Sequence, residues 1–495
     1  MKSSKLSNLT STSENNIIFD ELLNKEQNSA ATWEGGHVLI LAGAGCGKTK
    51  TIIARAQFLI EYITTAERVQ ILTFTRKSAS EIVERVKNKL GDKANNLKAS
   101  TFHTWCMSLI RKSPDLFGCR GFSVIDRDDQ LTLLRLARSS SDKAKNPLIP
   151  RPSDLCDIYS YGRNVGCSLR QAIELKAPES IDEFDEIAKI IRSYEDKKEA
   201  RKYLDYDDIL DVVATQFNNY PKILDWVSSN FTDLLIDEFQ DTNPLQWKLI
   251  SPLIPKLRLF CVGDDAQSIY GFRGADFESI HKFKEKVEGS TVLKLSVNYR
   301  STQEILDLSN WLLSKSNLNY EKNLISDRGP GIVPRIETFT NEWEEASWII
   351  DNLKENRSEG DRWDQNMILC RTAYSARAVE GALIESKIPY KFIGGRKLFE
   401  SAHVKDVLSA LRIIANPQDD LGWMRYLPLW GGVGDKTASD ALSQISKNDS
   451  LDRCIEILKS YPKISKEALS ILREGAKGQT TEECFKTCAD GLYKV

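Results

Sequence analysis

The stretch His37-Val-Leu-Ile-Leu-Ala-Gly-Ala-Gly-Cys-Gly-Lys-Thr49 sets a short apolar run directly before a glycine-rich loop that ends in Lys-Thr. The apolar part reads as a buried strand, and the spacing from Thr49 to Ile63 reads as a helix. Glycines between a strand and a helix let backbone N–H groups turn inward around phosphate oxygens, and the helix adds its positive N-terminus. Lys48 is placed to reach the β- and γ-phosphates of a nucleotide, and the Thr49 hydroxyl to hold Mg²⁺. The expected cradle is Ala42, Gly43, Ala44, Gly45, Cys46, Gly47, Lys48 and Thr49, with Ala42 standing where the generic pattern has glycine. Taken alone, the loop also reads as an ordinary glycine turn.

Outward from the loop, Val69–Thr75 reads as a second strand, followed by a helix from about Ser78 to Leu90. Alternating strands and helices indicate a parallel, doubly wound α/β sheet. Prolines 114, 147, 150 and 152 and the helical stretch 180–203 mark residues 111–204 as a helical insertion. Apolar strands return at Asp233–Asp237 and Leu257–Gly263. The first of them ends in two acids. Asp237 is placed to hold Mg²⁺ through water, and Glu238 to position and polarise an attacking water. A third segment starts near Leu293, with strand-like Gly331–Phe339 and Asn366–Arg371, and residues 431–495 read as helical. The expected organisation is a disordered tail at 1–16 and a first α/β domain at 17–110 and 205–292, interrupted by the insertion. Part of a second α/β domain follows at 293–430, then the start of a second helical insertion at 431–495.

At roughly 150 residues per domain, 495 residues suit about three domains. Lys plus Arg is 68 and Asp plus Glu is 70, a formal charge of −2 that argues against a histone-like polyanion binder. Local basic patches still leave nucleic acid open. The 41% hydrophobic fraction excludes a disordered chain, a collagen and a small disulfide scaffold. No apolar run approaches the roughly 18 residues of a membrane span, and the Ser- and Asn-rich start has no signal-peptide core. The ten cysteines therefore read as reduced cytoplasmic thiols. Cys484 and Cys488 sit close together without a nearby His, which favours packed thiols over a metal site.

Six segments occur in a telling order: Leu23-Asn-Lys-Glu-Gln27, the glycine loop, Leu72-Thr-Phe-Thr75, Asp237-Glu-Phe-Gln-Asp241, Val262-Gly-Asp-Asp-Ala-Gln-Ser-Ile-Tyr-Gly-Phe-Arg-Gly274 and Asn298-Tyr-Arg-Ser301. Together, from about Leu22 to Gly434, they resemble the UvrD/Rep family of superfamily 1 DNA helicases. The resemblance implies two RecA-like P-loop motor domains that close on ATP and Mg²⁺ and step 3′→5′ along single-stranded DNA. It implies that Gln27 reads adenine and Tyr299 stacks on it. Gln267 would sense the γ-phosphate, Arg300 would act as an arginine finger, and Arg273 would pair with an acid near Mg²⁺. Exposed aromatics stack on bases without sequence preference, and Phe74, His103, Tyr270 and Phe272 are the candidates for this role. Phe272 stands where the family usually has Trp. Phe74 and His103 read equally as core packing, and Lys77, Arg85, Lys87 and Lys89 as a solvated helix face. Asp205-Tyr-Asp-Asp-Ile-Leu210 resembles the return from the first insertion, and Trp430-Gly-Gly-Val-Gly434 the entry to the second.

Three departures stand out. Cys46 replaces a common Ser and puts an oxidisable thiol in the loop. Lys50 replaces an Arg that stacks near adenine. Residues 435–495 contain no His, and Arg453 and Arg473 are their only arginines, so the family's later Thr-Val-His and Arg-bearing motifs are not found there. The expectation is an ATP-dependent translocase acting on single-stranded and tailed duplex DNA, truncated inside the second insertion and impaired in unwinding. The alternative is a nucleotide-gated DNA-binding subunit of a repair or phage-defence complex, whose protein partner supplies the missing motifs. No membrane association is expected.

Overall fold

Ten strands appear in a computed structural model that describes Phe19 and residues 21–271, 274–275, 278–316, 322–394, 401–445 and 450–493. They are β1 (Val38–Ala42), β2 (Val69–Thr73), β3 (Lys98–Thr101), β4 (Ser123–Val124), β5 (Tyr203–Leu204), β6 (Asp233–Ile236), β7 (Arg258–Gly263), β8 (Thr291–Leu295), β9 (Val297–Asn298) and β10 (Ile325–Ser326). Contacts divide the described chain into two units, residues 1–334 and 335–495.

In the first unit the expected parallel α/β sheet is present, in the order β3-β2-β6-β7-β1-β8. Ile40 sits opposite Val262 on one side and Leu293 on the other. Side chains alternate along each strand, so both faces of the sheet are buried. Leu39, Leu72, Leu234, Ile236 and Leu259 face a core built with Trp105, Phe217 and Phe283. Val38, Ile40, Ile71, Leu235 and Phe260 face the other way, against Ile52, Ala56, Ile82 and Val86. β3 and β8 sit at the edges. β8 runs across the expected 292/293 boundary and belongs to the first sheet.

The insertion leaves and returns through the parallel pair β4–β5. Its helices include Arg127–Ser139, Pro152–Val165, Leu169–Lys176 and Phe184–Arg201. At the return, Asp205 caps the helix Tyr206–Asn219 in a reciprocal box with Asp208. The buried Lys198 ammonium lies 2.6 Å from both carboxylates, and Tyr194 donates to Asp205 at 2.7 Å. Removing one partner of such a buried cluster leaves an uncompensated charge, so it pins the insertion to the sheet domain.

The second unit is helical. Helices Glu342–Ser358 and Arg377–Glu385 pack through Ile350, Leu353, Val379 and Leu383. A second cluster runs from Ala402–Ala415 to Thr481–Tyr493, as expected for residues 431–495. The strands expected at Gly331–Phe339 and Asn366–Arg371 carry no ladder, and the only other sheet pairing described after β8 is β9–β10. Ile336 is 92% exposed and Leu369 is 87% exposed. An extended segment becomes a strand only where a neighbouring strand bonds at least one of its edges, and among the described residues none does so here. The second domain, expected to be incomplete, thus shows helices and no paired strands over these two segments. The expected tail 1–16 lies outside the described residues.

Candidate nucleotide site and adjoining groove

The glycine loop sits at the carboxyl end of β1, where ligands bind in open parallel sheets. Ala42 ends β1 in extended backbone, with its methyl packed in the core, so no glycine is required there. Gly45 and Gly47 do, with φ of +78° and +87°. A Cβ on Gly45 would lie 2.6 Å from Arg300 Cβ, and one on Gly47 2.5 Å from Gln27 Nε2. Lys48 opens the helix Lys48–Phe58 and lies 3.1 Å from Glu238 Oε2. That helix continues as a π-helical turn over Leu59–Ile63.

A cavity of about 500 Å³ is lined by Ala44, Gly45, Gly47, Lys48, Thr49, Lys50, Glu238, Gln267, Tyr299 and Arg300. The structure thus brings together residues that are up to 256 positions apart, Ala44 and Arg300. Gly43 and Cys46 complete the loop behind them. Asn298 holds the far wall: its Nδ2 donates to Ala44 O, and its Oδ1 accepts from Arg300 N at 2.9 Å and Ser301 N at 2.8 Å. Tyr299 N donates to Gly45 O at 3.0 Å, and Tyr299 Oη accepts from Asn24 at 2.8 Å. Gln27 is fully buried; its amide donates to Cys46 O at 3.0 Å and accepts from Asn24 N at 3.3 Å. Lys50 Nζ donates to Leu22 O, so its ammonium is anchored to backbone.

Asp237 and Glu238 follow β6. Glu238 adopts φ 52°, ψ 46°, a left-handed backbone that non-glycine residues seldom hold outside functional turns. Gln240 joins two segments: its Nε2 donates to Glu238 Oε2 at 2.9 Å, and its Oε1 accepts from Asp264 N at 2.9 Å. Burial, and then the Glu238 charge, push Asp237 up to about 6 and Asp241 up to about 7, while Lys48 pulls both down. A divalent cation suits this carboxylate, whose charged form is starved of solvation. Asp237 and the Thr49 hydroxyl are the residues that could hold Mg²⁺.

The raised values carry a sign. The folded chain holds protons on Asp237 and Asp241 that the unfolded chain releases at lower pH, so this contribution to stability falls as pH rises through about 4 to 7. In a chelator, Asp237→Asn is expected to flatten the loss of Tm between about pH 5 and about pH 7.5 relative to the parent. Added Mg²⁺ is expected to raise the parent Tm more at the higher pH. Parallel pH profiles for parent and variant would refute this.

Cys46 is buried, and its thiol is pushed up to about 11 by burial and by the Asp264 and Glu26 charges. It stays protonated at neutral pH and is a packed thiol, contrary to the expected oxidisable site.

A groove of about 1330 Å³ adjoins the cavity, and Glu238 and Gln267 line both. Phe74, His103 and Tyr270 lie on its wall. Phe74 is half-buried, edge-on to Phe102 at 6.1 Å. His103 lies edge-on to Tyr206 at 6.0 Å, and burial lowers its pKa, so it presents a neutral ring. Tyr270 is the most open of the three. Phe272 and Arg273 lie outside the described residues. Arg127, Arg151, Lys176 and Tyr161 reach the groove from the insertion, Lys176 Nζ sitting 4.4 Å from the Tyr161 ring centre. Nothing local in the sequence singled them out. Arg85, read as a helix-face charge, lines the phosphate cavity beside Glu81.

The UvrD/REP helicase N-terminal domain matches residues 23–288, and the UvrD-like helicase C-terminal domain matches residues 293–470. The chain is similar to the ATP-dependent DNA helicase PcrA of Staphylococcus epidermidis, 30% identical over 463 residues covering 90% of this chain and 62% of the relative. It is also similar to PcrA of Staphylococcus aureus, 31% identical over 437 residues covering 86% of this chain and 58% of the relative. The chain thus spans about three fifths of the length of these relatives.

Proposed function

Since the chain belongs to the UvrD/Rep helicase family, we propose that it binds and hydrolyses ATP and couples that cycle to 3′→5′ movement on single-stranded DNA, in the cytoplasm. The observation that carries this reading is that Glu238 and Gln267 line both the phosphate cavity and the groove. In it, the loop N–H groups and Lys48 hold the phosphates. Glu238 orients the attacking water, Gln267 senses the γ-phosphate and Arg300 faces the developing phosphoryl charge. Mg²⁺, held by Thr49 and Asp237, supplies charge neutralisation at the phosphate oxygens when bound. Gln27 reads the base by exchanging bonds it now makes to Asn24 and Cys46, and Tyr299 stacks on it. No described helix is long and apolar enough to cross a membrane.

In the groove, Tyr270 supplies the open stacking face and Phe74 and His103 supply edges, with Lys176, Arg127 and Arg151 beside the phosphates. Binding to single-stranded DNA is expected to be sequence-tolerant and to weaken with salt. Tyr270→Ala is expected to cost about 1–3 kcal/mol. Titrating labelled oligonucleotides of different sequence at two salt concentrations checks this. A strong sequence preference, or undiminished binding by Tyr270→Ala, would overturn the stacking assignment.

A second reading is a nucleotide-gated DNA-binding subunit completed by a protein partner. It draws on the exposed apolar side chains Ile336, Met367 and Leu369.

A further inference from the structure

Behind Gln267 lies a buried charge cluster: the two acids of the Val262–Gly274 motif and a lysine, Lys322, that belongs to none of the six segments. Asp264 and Asp265 follow β7 and are 3% and 5% exposed, and Lys322 faces them at 9%. Lys322 Nζ lies 2.6 Å from Asp264 Oδ1 and also bonds Asp265 Oδ1. The other Asp264 oxygen, Oδ2, accepts from Gln267 Nε2 at 2.6 Å. Backbone N–H of Ala266 adds bonds to both carboxylates, and His281 lies 3.8 Å from Asp265.

Two adjacent buried carboxylates repel each other and are poorly solvated. They stay in place because an ammonium is delivered to them. That ammonium comes from a distant part of the chain. Asp264 and Gln267 lie in the stretch matching the N-terminal helicase domain, and Lys322 in the stretch matching the C-terminal one. Within the first unit, Lys322 therefore ties a segment matched by the C-terminal domain to the turn after β7, one side chain away from a residue that lines both the phosphate cavity and the groove.

We propose that Lys322 is a positioning residue: by fixing Asp264, it holds the Gln267 amide where it distinguishes a nucleoside triphosphate from a diphosphate. This rests on the reading of Gln267 as the γ-phosphate sensor. Lys322 itself touches no nucleotide in this scheme. Its loss is expected to erase triphosphate preference while sparing affinity for ADP.

The test measures competition of ADP and a non-hydrolysable ATP analogue against a fluorescent ADP, using the whole chain. Lys322→Gln alone would leave two carboxylates without their cation and endanger folding. Lys322→Gln is therefore combined with Asp265→Asn, which leaves the formal charge of the cluster unchanged. The pair variant is expected to lower the triphosphate-over-diphosphate preference at least about fivefold, within the usual range of couplings between sites. ADP affinity is expected to stay within about twofold of the parent, less than half a decade on the affinity scale. Lys322→Arg, which keeps the charge, is expected to retain most of the preference. Gln267→Ala separates the two layers of the argument. If it loses the preference and the pair variant keeps it, Lys322 has no positioning role. If Gln267→Ala keeps the preference, the sensor reading falls and takes the proposal with it. If the pair variant loses ADP and the triphosphate analogue equally, Lys322 is merely structural and the proposal is overturned.

Discussion

Lys48→Ala is expected to bring ATP turnover to background and to weaken ATP binding by on the order of 2–5 kcal/mol, the scale for truncating one member of a buried charge pair. Lys48 is 9% exposed and lies 3.1 Å from Glu238, and its charge also lowers the pKa of Asp237 and Asp241. Without it, the Glu238 carboxylate on the cavity wall and the neighbouring Asp237 and Asp241 would lose the ammonium that offsets their charge. Glu238→Gln should behave differently. Its amide oxygen still accepts from Gln240, so the link to Asp264 survives, and removal of one negative charge leaves ATP affinity intact or improved. Turnover should nonetheless fall by about 10²–10⁴, the usual worth of a positioned general base. Equilibrium binding of a fluorescent ATP analogue beside steady-state phosphate release checks both halves. Equal loss of affinity in the two variants would defeat the division of roles.

Arg300→Ala is expected to leave ATP binding largely intact and to cut ATP turnover steeply. Arg300 lines the phosphate cavity, and its backbone N–H is held by Asn298 at 2.9 Å. An arginine finger is worth about 10³–10⁵ in phosphoryl transfer, and the variant is expected to lose turnover on that scale. The second expected sheet is also unladdered, with Ile336 and Leu369 open to solvent. Such segments invite pairing with other chains, and self-association at micromolar concentration is expected. Steady-state phosphate release beside equilibrium nucleotide binding, for parent and Arg300→Ala, decides the matter. Undiminished turnover by Arg300→Ala would remove the finger assignment.

What the sequence disclosed was local. The strand–glycine loop–helix around Lys48 and the acids after β6 are short, contiguous patterns with their own chemistry, and their meaning does not depend on residues far along the chain. β3 escaped because Lys98-Ala-Ser-Thr101 has no apolar run: an edge strand has one covered side and little need of one. The insertion residues that reach the groove escaped because ordinary helical surface charge looks the same wherever the helix points. Lys322 was invisible for a related reason, since its meaning lies in two carboxylates 57 and 58 positions away. At Gly331–Phe339 and Asn366–Arg371 the local preference for extended backbone was legible. Whether a ladder forms is decided by neighbours, which no local pattern specifies.

The turn at 298–301 also settles when the phosphate loop becomes ordered. Peptide groups here are trans and planar, so anchoring a carbonyl aims the following N–H in the opposite direction. Ala44 O is tied to Asn298 and Gly45 O to Tyr299 N. Gly45 N–H is thereby aimed in advance of any anion, while Cys46 N–H closes on Gly43 O at 3.1 Å, and the entropy of arranging the loop is lost on folding and not on binding. Damage to the Asn298 turn would accordingly surface as poor phosphate affinity, although the turn is far along the chain from the loop it disciplines.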